Sequence, residues 1–446
     1  MSGPDPAPAP TLAEGQEKII LAINAGSSSV KISAYAARRG REPRQIAEAQ
    51  VSGLTAPPAR LTYTRGGKGA GVRVRDGEEL PPSDSDRGAV TSQDEAFSLL
   101  LAVFVDDPDL PEIGSAADIA IACHRVVHGG DYAHAVTITP DALHRLERLT
   151  DLAPLHNATS LRIIRACTAA LPASAHNVAH FDSQFHASIP PHICTYPLDP
   201  EIARNNQLRK YGFHGISYAF LVRAVSRFLG KPADALNLIA LHLGSGASAC
   251  AIRGGRSWDT SMGLTPLAGL PGATRSGSVD PSLVFHYASD VGRLSPASTR
   301  ELHISVAEEI LNKQSGWRAL TGTTDFGHIA AARASDPACS LAFDLFANRV
   351  CGYVGSYYVA LGGEVDALVF AGGIGEHSAA LRAAVAGQAA CLGFALDAAR
   401  NEAGPAAGDA VTDVGAEGAR HRTLVCQTDE QYEMAFGCAG NSELWA

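Results

Sequence analysis

No run of 18 apolar residues occurs in the 446-residue chain, so no segment has the length and hydrophobicity of a membrane-spanning helix. No Cys-x-x-Cys pair occurs among the nine cysteines. Their odd number and scattered placement point to a reducing compartment and away from a zinc site. Positive charge is in deficit: 36 Lys and Arg stand against 46 Asp and Glu, for a net charge of −10. That balance excludes a general nucleic-acid binder while leaving room for a local basic pocket. Met1 to Gln16 lacks the basic start and apolar run of a secretory signal, and it has no arginine for a mitochondrial presequence. With proline at positions 4, 6, 8 and 10, residues 1–17 read as a flexible tail on a cytoplasmic protein. Several nucleotide and catalytic signatures are also missing. There is no Gly-x-x-x-x-Gly-Lys-[Ser/Thr], no kinase His-Arg-Asp set and no His-Glu-x-x-His. Gly244-Ser-Gly246 and Gly373-Ile-Gly375 lack the third glycine of the dinucleotide fingerprint, having Ala249 and Ser378 in its place.

What is present suits a large folded protein. Hydrophobic residues make up 46% and charged residues 18%, enough for a sizeable core. Length alone suggests about three domains, with two large ones equally allowed. Lys18-Ile-Ile-Leu-Ala-Ile23 reads as a strand, Asn24 to Ser29 as a small-residue turn, and Val30-Lys-Ile-Ser-Ala-Tyr35 as an antiparallel partner. Leu238 to Leu243, Gly244 to Ser248 and Ala249 to Ile252 repeat that unit about 220 residues on, which suggests an internal duplication. Buried strands are expected at Asp118 to Cys123, at Val178 to Phe181 and at Val365 to Phe370. Helices are expected at Ser160 to Ala170, with Leu161, Ile164 and Leu171 on one side, and at Ser340 to Leu361 through Leu341, Leu345, Val350, Val354 and Tyr357. Residues 55–92, rich in Gly, Arg, Asp and Pro, read as loop or exposed excursion. Alternating strands and helices argue for α/β or α+β layers.

Three Gly or Ser turns follow apolar strands, at 24–29, 244–248 and 372–376. Small residues let backbone N–H groups approach an anion, and serine hydroxyls add donors. The arrangement is the one expected if two turns grip phosphates and the third lies against a nucleoside. Lys31 follows the first turn. Arg125 stands at a strand end beside a Gly pair, and Arg275 lies in Leu270-Pro-Gly-Ala-Thr-Arg-Ser-Gly277. A guanidinium offers a planar fork to phosphate oxygens. His156 and His214 have apolar neighbours that fit a structural or a catalytic role. Asp182, at a strand end, could hold a metal, act as a base or cap Ser183 to His186. Glu430 could be a helix N-terminal acid favoured by the dipole.

Taken together these segments resemble the acetate kinase family of the actin, Hsp70 and sugar kinase superfamily. The motifs run in order over nearly the whole chain after residue 18: Ile23-Asn-Ala-Gly-Ser-Ser-Ser-Val-Lys31, His124-Arg-Val-Val-His-Gly-Gly130, Ala153-Pro-Leu-His-Asn157, Phe181-Asp-Ser-Gln-Phe-His186, Tyr211-Gly-Phe-His-Gly215, His242-Leu-Gly-Ser-Gly246, Thr260-Ser-Met-Gly-Leu-Thr-Pro266 and Gly372-Gly-Ile-Gly-Glu376. Leu270-Pro-Gly-Ala-Thr-Arg275 and Thr321-Gly-Thr-Thr-Asp-Phe-Gly327 look like fungal members. The resemblance implies an α/β fold of duplicated ribonuclease H-like domains facing a central cleft, and a homodimer. The first domain would comprise 18–182 plus 425–446, and the second 183–424. The implied activity is reversible transfer of a phosphoryl group between ATP and acetate, giving acetyl phosphate and ADP with Mg²⁺.

By the same resemblance, Asn24, Ser27, Ser29 and Lys31 line the phosphoryl path. Arg125 and Arg275 clamp the moving group and His214 donates to it. Asp182 and Glu430 match the catalytic and magnesium-linked acids, with Asn24 near the metal. Val127, Leu155, Phe213 and Pro266 match the acetate pocket, with His156 beside it. His242, Leu243, Gly244, Ser245 and Gly246, then Asp325, Phe326 and Gly327, then Gly373, Ile374, Gly375, Glu376 and His377 match the nucleotide segments. Three departures lie on the donor side: Ser245 where the family usually has Asn, Gly327 where a basic residue is frequent, and His377 in place of Asn. They raise pyrophosphate as an alternative donor. Propionate or butyrate kinase is the nearest rival by acceptor. A nucleotide-binding sensor or an Hsp70- or actin-like ATPase is the rival from another class, and it gives no reason for Arg125, His156, His214 and Arg275 together.

Overall fold

The computed structural model describes residues 15–26, 28–55, 58–67, 70–81, 90–149, 154–287, 293–296, 298, 304–406 and 408–445. Two mixed sheets organise the chain. The first contains β1 (Lys18–Ala25), β2 (Ser29–Ala37), β3 (Arg44–Ser52), β4 (Arg60–Arg65), β5 (Val72–Glu79), β6 (Ile119–Val126), β7 (Val136–Thr137) and β8 (His176–Phe181), in the order β5-β4-β3-β2-β1-β6-β8-β7. The second contains β9 (Leu238–Leu243), β10 (Ala247–Arg253), β11 (Arg256–Thr260), β12 (Ala367–Ala371), β13 (Val411–Asp413) and β14 (Arg422–Cys426), in the order β11-β10-β9-β12-β14-β13.

The duplication expected from the two hairpins extends to the sheets. In each, an antiparallel run of three strands (β3-β2-β1, β11-β10-β9) continues into two parallel strands (β6-β8, β12-β14). Strands flanked by helices on both faces must be apolar on both faces. In β1, Ile19, Leu21 and Ile23 enter one core cluster while Ile20 and Ala22 enter another. In β9, Ile239, Leu241 and Leu243 likewise divide from Leu238 and Ala240.

Four local expectations are corrected. The stretch 55–92 is not a loop throughout, because it holds β4 and β5. Leu61 and Tyr63 of β4 alternate into the core, while the charged β5 is exposed at the sheet edge, where charge discourages pairing with another chain. The long helix Pro337–Ala360 buries Cys339, Ala342, Phe343, Phe346, Ala347, Val350, Val354 and Tyr357, whereas Leu341 points out at 58% exposure. The expected helix at 160–170 begins earlier, at Pro154. It is wedged between two clusters, with Leu161 and Ile164 in one and Ile163, Cys167 and Leu171 in the other. The third turn, 372–376, is the opening of a short helix, Gly372–His377. Gly372 suits that entry, since its φ is +75° and an added Cβ would lie 2.7 Å from the Leu243 carbonyl oxygen.

The end of the chain returns to the first sheet. Helix Glu430–Gly440 packs on β1 and β6, and the Gln431 amide donates to the backbone oxygens of Ala22 at 3.0 Å and Lys31 at 3.3 Å. This ties the helix bearing Glu430 to the hairpin bearing Asn24 and Lys31. A second tie is Gly215, whose N–H donates to the Asp182 carbonyl at 2.8 Å. A Cβ at Gly215 would collide with that oxygen and approach Phe185 Cβ at 2.7 Å. Backbone cannot yield as a flexible side chain can. Gly215→Ala is therefore expected to cost about 1–3 kcal/mol or more, read as a fall in chemical and thermal unfolding midpoints. A wild-type melting curve would show this approach to be unimportant.

Candidate active site

A cleft of about 690 Å³ opens where the two sheets present their strand ends. From the first sheet come Asn24, Ala25, Gly26, Lys31, Arg125 and Val127. The second half contributes His214, His242, Gly244, Ser245, Gly246, Thr274, Arg275, Gly372, Gly373 and Glu376, and the returning segment contributes Thr428, Asp429, Glu430 and Gln431. A second hollow of about 750 Å³ is lined by Asp325, Phe326, Gly327, Ile374 and His377, and it shares Gly244, Ser245 and Gly373 with the cleft. The two form a continuous groove with a charged end and a more apolar end.

Arg125 organises the floor. Its Nε lies 3.0 Å and 3.3 Å from the two Asp182 oxygens, and its Nη2 lies 2.8 Å from Asp182 Oδ2. Nη1 reaches Glu430 Oε2 at 3.0 Å and Asn24 Oδ1 at 3.4 Å. Asn24 Nδ2 donates in turn to Glu430 Oε2 at 3.1 Å. Burial pushes the Asp182 carboxyl up, against the pull of Arg125. Asp182 does not cap the following turn: Ser183 precedes the short 3₁₀ turn Gln184–Ser188, with no side-chain capping bond.

Arg275 differs. Among the described residues no carboxylate pairs with it. Burial, with Arg125 nearby, pushes its pKa down to about 10. An uncompensated guanidinium held in a cleft is costly until an anion arrives.

His214 precedes the helix Gly215–Leu229 with a left-handed backbone, φ +60°. That conformation is strained for a non-glycine residue. His214 stacks on His242 with centroids 4.1 Å apart. Burial pushes both imidazoles down, His242 to about 4 and His214 well below its ordinary value, with His242, Arg125 and Arg275 adding to the effect on His214. Both rings are neutral at pH 7.

Other expected residues fall less directly on the groove. Lys31 lines the cleft, with its ammonium 2.9 Å from Glu48 of β3. Val127 lines it too and packs on the cluster of Tyr211, Phe213 and Met262, so Phe213 backs the cleft from beneath. Pro266, Leu243 and Gly375 are buried and Ser29 opens β2; none of the four lines either hollow. Phe326 edges the second hollow but is mostly committed to the core, against Trp317, Phe343 and Phe346. Glu376 accepts from the N–H groups of Gly372 at 3.0 Å and Thr428 at 3.3 Å, a latch rather than a free ligand. Ser27 lies outside the described residues, as do the side chains of Leu155 and His156 at the start of Pro154–Ala170.

Sequence reasoning missed Thr159, Thr274, Asn312, Lys313 and Gln431, which also line the cleft. Gln431 had a signal, since it follows Glu430 on a helix that returns to the first sheet. Thr274 stands beside Arg275 in the loop quoted for that arginine, and Thr159, Asn312 and Lys313 lie outside the three turns.

Comparison with known proteins decides the family. The model of the acetokinase family matches residues 19–436. The chain belongs to the acetokinase family. This acetokinase-family chain is 58% identical over 457 residues to a probable acetate kinase of Neurospora crassa, covering 96% of the chain and 95% of that protein. It is 55% identical to a probable acetate kinase of Emericella nidulans, with 94% and 97% covered. Identity to an acetate kinase of Streptomyces coelicolor is 38%, with 93% and 95% covered, which bears out the fungal resemblance. Among solved structures, Porphyromonas gingivalis acetate kinase superposes with a TM-score of 0.75 at 30% identity, covering 94% of this chain and 98% of that one. A propionate kinase from Francisella tularensis gives 0.78 at 30% identity, with the same coverages. The α/β architecture with two sheets is thus that of solved acetate kinases.

Proposed function

We propose that the chain catalyses reversible phosphoryl transfer between ATP and acetate, giving acetyl phosphate and ADP. The observation that carries this reading is Arg275, a guanidinium with no carboxylate partner among the described residues, in one cleft with a second, paired one. Phosphoryl transfer spreads negative charge over three equatorial oxygens, so positioned cations supply most of the stabilisation. Arg275 and Arg125 supply cations, His214 a neutral donor, and the Gly244–Gly246 turn small residues beside them. The Arg pair also offsets repulsion between the acetate anion and the phosphate.

The state of Asp182 favours a carboxylate acceptor. A sugar hydroxyl must lose a proton to a free base, but Asp182 is bound at both oxygens by Arg125. A small carboxylic acid, with a pKa near about 4.3 by analogy with Glu, arrives already ionised at neutral pH. Asp182 therefore positions Arg125 and has no proton to take. Transfer is direct and in line between donor and acceptor, with no phosphorylated side chain.

The donor set fits magnesium. Asn24 and Glu430 offer hard oxygen atoms in one cluster while Asp182 is taken up by Arg125, and among the described residues no group of three or more His, Cys, Asp or Glu is arranged to enclose a metal. Magnesium is usually held by one or two carboxylates together with substrate phosphates and water. Bound there by Asn24 and Glu430, it would neutralise phosphate charge. ATP is favoured over pyrophosphate because the second hollow has room for a nucleoside that pyrophosphate lacks.

Val127 and Phe213 would meet the acetate methyl. One extra methylene changes discrimination by about 1–3 kcal/mol, so a gradient rather than a cutoff is expected. The domain division, 18–182 with 425–446 and 183–424, belongs to the proposal. So do a homodimer, which the family resemblance implies, and cytoplasmic residence. No helix among the described residues is long and apolar enough to cross a membrane.

Hydroxamate trapping of acyl phosphate with Mg-ATP should give product that declines from acetate through propionate to butyrate. No product with ATP but product with pyrophosphate would move the donor assignment. No product with either would overturn the reading.

A further inference from the structure

The His214 ring has two nitrogens with different surroundings. Nε2 faces the cleft: a Cβ built on Gly246 would lie 3.7 Å from it and 3.1 Å from Arg275 Nη1. Nδ1 lies 2.8 Å from the hydroxyl of Ser248 on β10. That hydroxyl is 2.6 Å from the phenol of Tyr218, one helical turn beyond His214. Ser248 and Tyr218 are both fully buried.

Counting protons fixes the direction of this chain. Ser248 has one proton and Tyr218 has one. If His214 carried its proton on Nδ1, it would donate to Ser248, and Ser248 would donate to Tyr218. The Tyr218 proton would then have no acceptor among the described residues. A buried donor left unmade costs about 1–3 kcal/mol. In the opposite direction every proton is used: Tyr218 donates to Ser248, and Ser248 donates to Nδ1. The neutral ring must then carry its proton on Nε2, pointing into the cleft. Burial and the neighbouring cations keep the ring neutral, so a second proton does not blur the choice.

We infer that Tyr218 and Ser248 form a relay that holds His214 as a neutral Nε2–H donor aimed at the transferring phosphoryl group; both are positioning residues. The inference rests on the proposed phosphoryl transfer for its purpose but not for its geometry. An imidazole of the other tautomer would present a lone pair to a phosphoryl oxygen and repel it. The relay thus converts a residue with two equivalent neutral forms into a fixed donor without a charge.

Neutron crystallography of the resting, deuterium-exchanged protein at pH 7 reads the tautomer directly and needs no turnover. Deuterium is expected on Nε2 of His214 and between Ser248 and Nδ1. Deuterium on Nδ1 overturns the relay. Kinetics supply the second readout. Ser248→Ala should lower kcat about 10- to 100-fold with KM for nucleotide and acetate nearly unchanged. Tyr218→Phe, which keeps the Ser248 proton, should lose less. Ser248→Ala with kcat within twofold of wild type overturns the assignment. If Ser248→Ala does not fold, Tyr218→Phe and the neutron map still decide. Deuterium on Nε2 in a protein that makes no acyl phosphate would leave the relay standing and remove the phosphoryl role.

Discussion

Arg275→Ala should lower turnover by roughly 10³-fold while leaving the unfolding midpoint unchanged or slightly raised. The two halves of this expectation come from the same fact. The guanidinium has no carboxylate partner among the described residues, and burial beside Arg125 already pushes its pKa down to about 10. In the resting protein it is a cost. Removing it therefore relieves like-charge repulsion in the folded state. In the transition state it faces the charge that spreads over the phosphoryl oxygens, and there it is worth several kcal/mol. A loss of less than fivefold in kcat would mean that Arg275 is an ordinary solvated side chain. A large fall in stability would mean that an unrecognised structural pairing had been broken. The measurements are steady-state hydroxamate kinetics and chemical denaturation on the same preparation.

Arg125→Ala should abolish measurable turnover and also destabilise the fold, by about 3–5 kcal/mol at pH 7. Arg125 is bound to Asp182, which is 1% exposed, and to Glu430. Without it two carboxylates share a buried site with no cation between them. The stability loss has a pH signature. Burial already raises the Asp182 carboxyl above its ordinary value of 3.8, and losing Arg125 raises it further. A carboxyl whose folded pKa lies above its unfolded value is tolerated when protonated and destabilises when ionised. The penalty is absent below the unfolded pKa and grows as pH rises through the folded one. The stability gap between wild type and variant should therefore narrow as pH falls from 7 toward the unfolded carboxyl value. A gap that is constant or widens on acidification would contradict the buried-pair account. Equal stability of wild type and variant at pH 7 would contradict it as well.

The contrast between these variants is a tertiary result. In the sequence the two arginines look alike, each in a segment of glycine and apolar neighbours. Only the fold brings Asp182, 57 residues from Arg125, onto one and leaves the other without a carboxylate partner among the described residues. The same limit explains β4 and β5. Their local composition favours loop, and they form strands because the edge of a twisted sheet offers backbone partners that composition does not encode. Leu341 shows the reverse case. Its spacing placed it on the buried face of its helix, but the wide stripe from Cys339 to Tyr357 was oriented by what packs against it.

The sequence by itself determined the family, the two hairpins and most of the groove. Short motifs of glycine, serine, histidine and arginine carry their chemistry locally, and apolar strands announce themselves by composition. Tertiary structure decided which charges are paired, that Glu430 meets Asn24 across 406 residues of chain, and which nitrogen of His214 faces the cleft. Those outcomes depend on where burial withdraws water and on which partners remain to satisfy each buried proton and charge. They are fixed only when the two sheets and the returning helix are in place.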